Sequence, residues 1–203
     1  MHTPTMSKHL PLTPEEIGTR PNFRSRLIHT GQHSSPEMSD SFFRDLRLPV
    51  PDLFLGINGG GHTYQTAAIM QKLDDEFAAR RPDLVLVVGD VNSTLAASLV
   101  AAKAGIRLAH VEAGLRSFDR AMPEEINRIV TDSISDLLFT TEESGNENLR
   151  KEGVPEERIF FTGNVMIDTL LRFRAEAAKS GILDQLGLLP RGYAVATLHR
   201  PSN

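Results

Sequence analysis

The chain has 203 residues, of which 40% are hydrophobic and 24% are charged, so its composition is that of a globular protein and excludes general disorder. Lys and Arg number 22 against 26 Asp and Glu, and the formal charge of −4 excludes the basic surplus typical of general nucleic-acid binders. Because cysteine is absent, disulfides and thiolate metal sites are excluded and a reducing compartment is expected.

The first part of the chain has irregular patterning. Residues 1–16 contain three prolines and no apolar core of a secretory signal, and they are predicted to form a polar tail. Residues 24–30 predict a strand and residues 37–46 a short helix. Prolines and the run Gly59-Gly60-Gly61 then predict a loop. No apolar run in the sequence approaches the length of about 20 residues that a membrane helix needs.

From residue 62 onward, apolar periodicity predicts helices that alternate with strands. Ile69, Leu73 and Phe77 recur four residues apart and predict a helix over 62–80. Residues 84–88 are all Leu or Val, which predicts a strand buried on both faces. The same criteria predict further helices over 92–104, 123–133, 142–152 and 165–179, and further strands over 107–111, 136–140, 158–162 and 193–197.

This alternation predicts an α/β fold with a parallel β-sheet and helices on both faces, that is, a Rossmann-like domain. We assign the domain to residues 17–180. The following segment, 181–203, contains glycines and a proline and is predicted to be a linker with the first strand of a second domain.

Ligands of parallel sheets bind at the carboxyl ends of the strands, and the residues there are chemically rich in this sequence. Asp90 follows one predicted strand, where either it or Asn92 could instead cap the next helix. Glu112 follows another strand; it either pairs with Arg116 as a structural ion pair or points into a cleft, with Arg116 or His110 setting its charge.

Three other positions are candidates for functional residues. Glu124 and Glu125 open a predicted helix, where acids commonly complement the helix dipole. His33 follows an early strand, and the pair His199-Arg200 follows the last one. The sequence lacks the phosphate-binding loop motif, the glycine-rich dinucleotide-binding motif, the Gly-x-Ser-x-Gly nucleophile motif and any metal-ligand spacing of His and Asp. We therefore expect no nicotinamide cofactor, ATP or zinc.

The segment 89–171, with GDVNST, HVEAGLRS and PEEINR, resembles the non-hydrolysing UDP-N-acetylglucosamine 2-epimerase family. TGQH at 30–33 and TLHRPSN at 197–203 are similar to two more of its motifs, so the resemblance covers residues 18–203. It implies the first half of a two-domain, GT-B-like enzyme with its active site between the domains. It also implies a cytoplasmic homodimer that needs no cofactor and supplies UDP-N-acetylmannosamine for surface polysaccharides.

The resemblance further implies elimination of UDP to a glycal and its re-addition with inversion at C2. Motif by motif, it assigns catalytic roles to Asp90, Glu112, Glu125 and His199, with Glu124 as the rival of Glu125. It places substrate-binding or regulatory residues at Arg20, Gln32, His33 and Arg200, to which we add Arg116 from its position near Glu112.

Two departures from the family pattern are evident. Only ten residues run from Pro21 to Thr30, too few for a helical crossover, so the first βα unit is expected to be missing, and Asn22 replaces a Glu. The sequence stops where the second domain is expected, and Ser202 replaces an acid, so we expect a fragment or degraded copy. The alternatives are a hydrolysing epimerase, a glycosyltransferase half, or a non-catalytic module for sugar-nucleotide binding or dimerisation.

Overall fold

The computed structural model describes residues 22–31, 43–189 and 191–197. Strands and helices alternate through most of this part of the chain. The strands are β1 (Ile28–His29), β2 (Leu53–Phe54), β3 (Leu84–Val88), β4 (Arg107–Val111), β5 (Leu137–Thr140) and β6 (Ile159–Phe161). The helices are α1 (His62–Ala79), α2 (Asn92–Lys103), α3 (Pro123–Ile134), α4 (Glu143–Lys151), α5 (Val165–Ala177) and α6 (Ile182–Gln185), with a 3₁₀ turn at Glu156–Arg158.

The periodicity after residue 62 predicted most of the elements correctly. Helix α1 buries Ile69, Leu73 and Phe77, the stripe that predicted it. The predicted strand over 107–111 is β4, and the helices predicted from residues 92, 123 and 165 begin at those residues. Helix α3 has Pro123 in its first turn, where a missing backbone N–H costs nothing. The predicted α/β architecture of parallel strands and helices is confirmed.

The strands form two parallel sheets instead of the expected single one. β3, β4, β5 and β6 lie side by side in chain order, with Leu84 opposite Arg107 and Val88 opposite Val111. β1 pairs with β2, and within the described residues no ladder joins β1 to β3. The predicted loss of the first βα unit concerns the chain before residue 22, which lies outside the described residues, so it stays a prediction.

The prediction that β3 is buried on both faces is wrong. Leu84, Leu86 and Val88 are 40%, 37% and 49% exposed, whereas Val87 is 7% exposed. Among the strands that the structure describes, β3 pairs with β4 alone, and its buried face packs in the core with α1 and α2 residues. The continuous apolar run of this strand therefore includes residues of a buried face, which packs in the core, and residues of an exposed face.

Three further expectations differ from the structure. The strand predicted over 24–30 is limited to β1, because the N–H of Leu27 bonds to the carboxylate of Asp52 at 2.7 Å instead of extending the ladder. The predicted loop around residues 49–61 contains β2. Residues 193–197 form no strand, since no strand in the described part of the chain pairs with them. The helix predicted over 37–46 is observed at 43–45, and its earlier part lies outside the described residues.

The chain divides into two compact units, residues 1–165 and 166–203. The first holds both sheets and the core around Ile69, Val100 and Leu108. The second holds most of α5 together with α6. The domain boundary predicted at residue 180 stays a prediction. Among the described residues, no helix combines the length and apolar character needed to cross a membrane.

Two glycines offer a matched test of backbone packing. Gly114 and Gly153 have similar positive φ values of 79° and 83°. A Cβ on Gly114 would collide with the backbone of Gly145, whereas one on Gly153 meets nothing within 4 Å. We expect Gly114→Ala to lower the free energy of unfolding by about 3 kcal/mol and Gly153→Ala by about 1 kcal/mol, as measured in urea. Equal losses would contradict the close packing at Gly114.

Candidate functional site

The parallel sheet brings the ends of β3 and β4 together beside the first turn of α3. Gly89 and Asp90 follow β3, and Glu112 follows β4. The carboxylate of Glu112 lies 3.6 Å from the position that a Cβ on Gly89 would occupy. The side-chain amide of Asn127, on α3, donates to the backbone oxygen of Asp90 at 2.7 Å. Two of the predicted acids therefore lie at one edge of the sheet.

Asp90 does not cap the following helix. The N-cap of α2 is Val91, and no side chain completes that cap. Instead the Asp90 carboxylate accepts a hydrogen bond from Arg128 at 3.1 Å and is 35% exposed. Arg128 also lies 3.1 Å from the carboxylate of Glu125, so one guanidinium links two of the predicted acids. The capping interpretation is wrong, and the Asp90 side chain faces the site and solvent.

Glu112 has the backbone and the environment of a functional residue. Its φ is 70°, a left-handed conformation that costs a non-glycine residue about 1–2 kcal/mol. Burial raises the pKa of the Glu112 carboxyl, the nearby charge of Asp90 raises it further, and His110 opposes both. A carboxyl with a raised pKa suits proton transfer near neutral pH.

The predicted pairing of Glu112 with Arg116 is wrong. Arg116 lies 2.8 Å from Asp132 and makes two hydrogen bonds with Glu152, at 2.7 and 2.6 Å. It also donates to the oxygen of Leu115 at 2.7 Å. These contacts occupy the whole guanidinium, so the structure gives Arg116 an internal anchoring role. Its assignment to substrate binding is not tested by this geometry.

The two neighbouring glutamates of α3 have different environments. Glu125 is 1% exposed and accepts hydrogen bonds from the backbone N–H groups of Ser117 and Phe118 at 2.9 and 3.0 Å. Burial alone would raise the pKa of Glu125, but these bonds and Arg128 outweigh it and lower that pKa. Glu124 is half-buried, with no hydrogen bond or ion pair to another described side chain. Glu125 therefore holds the loop at 117–118, and Glu124 has the freer carboxyl.

A substitution pair separates these roles. We expect Glu125→Gln to lower the free energy of unfolding at neutral pH by about 2 kcal/mol, because a buried carboxylate loses charge-assisted bonds. The loss shrinks in acid, since a carboxyl with a lowered pKa stabilises only while it is ionised. Glu124→Gln is the matched control, with a change below about 0.5 kcal/mol. Urea unfolding at neutral and acid pH measures both, and the reverse ranking would contradict this assignment.

A largely apolar cleft of about 390 Å³ opens between α1, α2 and α3, and the polar side chains of His62, Asn92 and Asn127 also line it. The amide of Asn92 donates to Gln65 at 2.8 Å and lies 3.2 Å from the ring of His62. Sequence reasoning considered Asn92 only as a helix cap, and it gave no site role to His62 or Arg128. The PEEINR motif contained the information for Arg128, because its spacing of three from Glu125 places both side chains on one face of α3.

Five predicted site residues have no structural account. Arg20, Gln32, His33, His199 and Arg200 lie outside the described residues. Their roles stay predictions. Of the remaining predicted residues, the structure brings Asp90, Glu112 and Glu125 together around the ends of two strands and the start of α3.

Comparison with known proteins agrees with this arrangement. The family model described as UDP-N-acetylglucosamine 2-epimerase matches residues 15–203. A Methanococcus maripaludis protein named UDP-N-acetylglucosamine 2-epimerase homolog is 46% identical over 194 residues, covering 95% of this chain and 54% of that protein. A Pseudomonas aeruginosa UDP-2,3-diacetamido-2,3-dideoxy-D-glucuronate 2-epimerase is 45% identical over 180 residues, covering 87% and 49%.

A solved structure agrees as well. The Methanocaldococcus jannaschii UDP-GlcNAc 2-epimerase, crystallised with UDP-GlcNAc and UDP, superposes with a TM-score of 0.78 at 44% identity. The superposition covers 81% of this chain and 46% of that one. The chain therefore spans about half the length of the curated relatives and solved structures that it matches.

Proposed function

Because the chain belongs to the UDP-N-acetylglucosamine 2-epimerase family, we propose that it supplies the first half of an enzyme that interconverts UDP-N-acetylglucosamine and UDP-N-acetylmannosamine. The observation that carries this proposal is the pair of carboxyls, Asp90 and Glu112, close to each other at the ends of adjacent strands. Inversion at C2 requires one group to remove a proton and another to deliver one to the opposite face.

The chemistry balances without an oxidant or reductant. A base removes the C2 proton, the C1–O bond breaks, and its electron pair leaves on UDP, so that a C1=C2 double bond forms. UDP then adds back to C1 while an acid delivers a proton to the other face of C2. We assign the base to Asp90 and the acid to Glu112, whose raised pKa favours its protonated form.

Other groups complete this proposal. We assign the third acid of the site to Glu124 instead of Glu125, because the carboxyl of Glu124 is the freer of the two. Glu125 positions Arg128 and the loop at 117–118. His199 and Arg200 act near the sugar and diphosphate, Arg20 near the nucleotide, and Gln32 and His33 in a regulatory UDP-sugar site. Departing UDP gains negative charge, and stabilising that charge is commonly the largest catalytic contribution.

The proposal extends to the setting of the enzyme. We assign it to the cytoplasm as a homodimer that needs no cofactor and feeds surface-polysaccharide synthesis. The absence of cysteine and the negative net charge agree with a cytoplasmic protein that has no nucleic-acid partner.

A second candidate substrate is a UDP-2,3-diacetamido uronic acid, because the Pseudomonas aeruginosa relative with that activity in its name is 45% identical. Both sugars share UDP and a C2 acetamido group, so the proton chemistry is the same. A hydrolysing epimerase is the other alternative, and it would release UDP and a free sugar.

The test joins the 203 residues to the remaining half of the Methanocaldococcus jannaschii enzyme and follows UDP-N-acetylglucosamine by NMR. We expect the completed chain to form UDP-N-acetylmannosamine and the 203-residue chain to form none, because two domains are needed to enclose the sugar. Release of free sugar would identify the hydrolysing reaction instead. Turnover of the diacetamido uronic acid alone would identify the second substrate, and turnover of no UDP-sugar would contradict the proposal.

A further inference from the structure

A network of four ionisable side chains lies beside the candidate site, with three of them buried and Glu152 39% exposed. The carboxylate of Glu152 bonds to Arg116 at 2.6 Å, and Arg116 lies 2.8 Å from Asp132. Asp132 in turn lies 2.6 Å from Nδ1 of His110. His110 and Asp132 have exposed side-chain fractions of 0% and 1%, so the inner part of the network is shielded from water. None of these contacts is needed to form a parallel sheet.

The two ring nitrogens of His110 both face acceptors. Nδ1 lies 2.6 Å from the carboxylate of Asp132, and Nε2 lies 2.8 Å from the backbone oxygen of Gly89. A backbone carbonyl oxygen accepts hydrogen bonds and never donates them, so Nε2 must carry a proton. An ionised carboxylate likewise requires a proton on Nδ1. A neutral imidazole has one proton and would leave one of these buried contacts without a donor.

The net charge of the network agrees with this protonation state when Asp132 is ionised. Oδ2 of Asp132 lies 2.8 Å from Arg116 and accepts a hydrogen bond from the backbone N–H of Gly114 at 3.0 Å, and both contacts favour the ionised carboxylate. With Asp132 and Glu152 ionised, a neutral His110 leaves the four side chains with a net charge of −1. With an imidazolium they carry none. Burial lowers the pKa of Arg116, but its bonds to Glu152 and Asp132 outweigh that effect and raise it, so Arg116 stays charged. Glu152 is 39% exposed and its charge is partly screened by water, so the geometry at the two ring nitrogens is the stronger ground for a doubly protonated His110.

We infer that His110 carries a proton on both ring nitrogens and acts as a positioning residue, holding the Gly89 carbonyl and placing a fixed positive charge beside Glu112. Gly89 directly precedes Asp90, and both Gly89 and Glu112 have a φ of 70°. The ring of His110 therefore fixes the turn after β3, and the candidate acids stand on the turns after β3 and β4. The assignment of Asp90 and Glu112 as the acids rests on the proposed function, whereas the protonation of His110 does not.

The charged groups around His110 come from each neighbouring element. Asp132 reaches it from α3, with Arg116 and Glu152 behind that carboxylate. Glu112 approaches from the end of β4, and its pKa is raised by burial, raised further by Asp90, and lowered by His110. Without the charge of His110, burial and the charge of Asp90 would raise the pKa of Glu112 unopposed.

The test is nuclear magnetic resonance of the 203-residue chain with ¹⁵N-labelled histidine, with ring signals assigned through bonds. We expect two ring N–H protons on His110 at pH 7.5, both protected from exchange with water. A His110 ring with a single proton would overturn the inference. This measurement needs neither a variant nor a sugar nucleotide, so it stands whether or not the completed chain epimerises UDP-sugars.

A second measurement separates positioning from a purely structural role. The ¹³C signal of the Glu112 carboxyl is titrated in the wild type and in His110→Gln, and we expect its midpoint to lie at a higher pH in the variant. His62→Gln is the matched control, because His62 is exposed and is not among the groups that shift Glu112. We expect the control to leave the Glu112 midpoint unchanged. An unchanged midpoint in His110→Gln would overturn the positioning role.

Discussion

Asp90→Asn lowers the rate of epimerisation by at least about 100-fold in the completed chain, because the amide cannot take up the C2 proton. The fold is retained. Asp90 is partly exposed and its contact with Arg128 lies at the edge of the sheet, so losing that ion pair costs about 1 kcal/mol or less. The rate is measured by NMR of the two UDP-sugars, and the free energy of unfolding is measured in urea.

Asp83→Asn is the control for this substitution. Asp83 is exposed and precedes β3, so the same chemical change is made at the opposite end of the same strand. We expect its rate to stay within about twofold of the wild type. Near-normal turnover by Asp90→Asn would remove Asp90 from the proton-transfer step.

Glu112→Gln lowers the rate of epimerisation and raises the stability of the fold. The rate of epimerisation falls by at least about 100-fold, because the variant has no proton to deliver. The folded protein becomes more stable at neutral pH, by about 1 kcal/mol at most for this half-buried side chain. The reason is that the Glu112 pKa is raised in the folded state by burial and by Asp90.

The direction of the pH dependence follows from the same shift. Between the ordinary carboxyl pKa and the raised pKa of Glu112, the folded state binds more protons than the unfolded state. Glu112 therefore stabilises the fold below its ordinary pKa and loses that contribution as the pH rises through the raised value. Glu112→Gln removes this slope, whereas Glu147→Gln, at an exposed position of α4, retains it. A Glu112→Gln protein less stable than the wild type at neutral pH would contradict the raised pKa.

The sequence predicted most elements after residue 62 because local periodicity carries that information. Ile69, Leu73 and Phe77 are spaced for one helix face, and β4 is a short apolar run between polar turns. Because ligands of parallel sheets bind at the carboxyl ends of the strands, the sequence also predicted that Asp90 and Glu112 lie at one edge of the sheet. These parts of the fold and site depend on spacing along the chain, which a single sequence displays.

Other features depend on neighbours that are distant in sequence. The open face of β3 reflects which strands lie beside it, and its five apolar residues do not encode that. Arg116 bonds to Glu152, 36 residues away, although Glu112 is nearer in sequence. Glu125 and Glu124 are equivalent by sequence, and only the loop at 117–118 makes one of them a buried anchor. In each of these cases the deciding contact lies outside the local periodicity from which the elements were predicted.

The measurement that tests the proposed function most directly is proton exchange at C2 of UDP-N-acetylglucosamine in deuterated water, followed by NMR. We predict that the completed chain incorporates deuterium at C2 of both UDP-sugars, and that incorporation falls at least about 100-fold in Asp90→Asn and in Glu112→Gln. Epimerisation without deuterium at C2, or undiminished incorporation in both variants, would contradict proton transfer by the two carboxyls at the ends of β3 and β4.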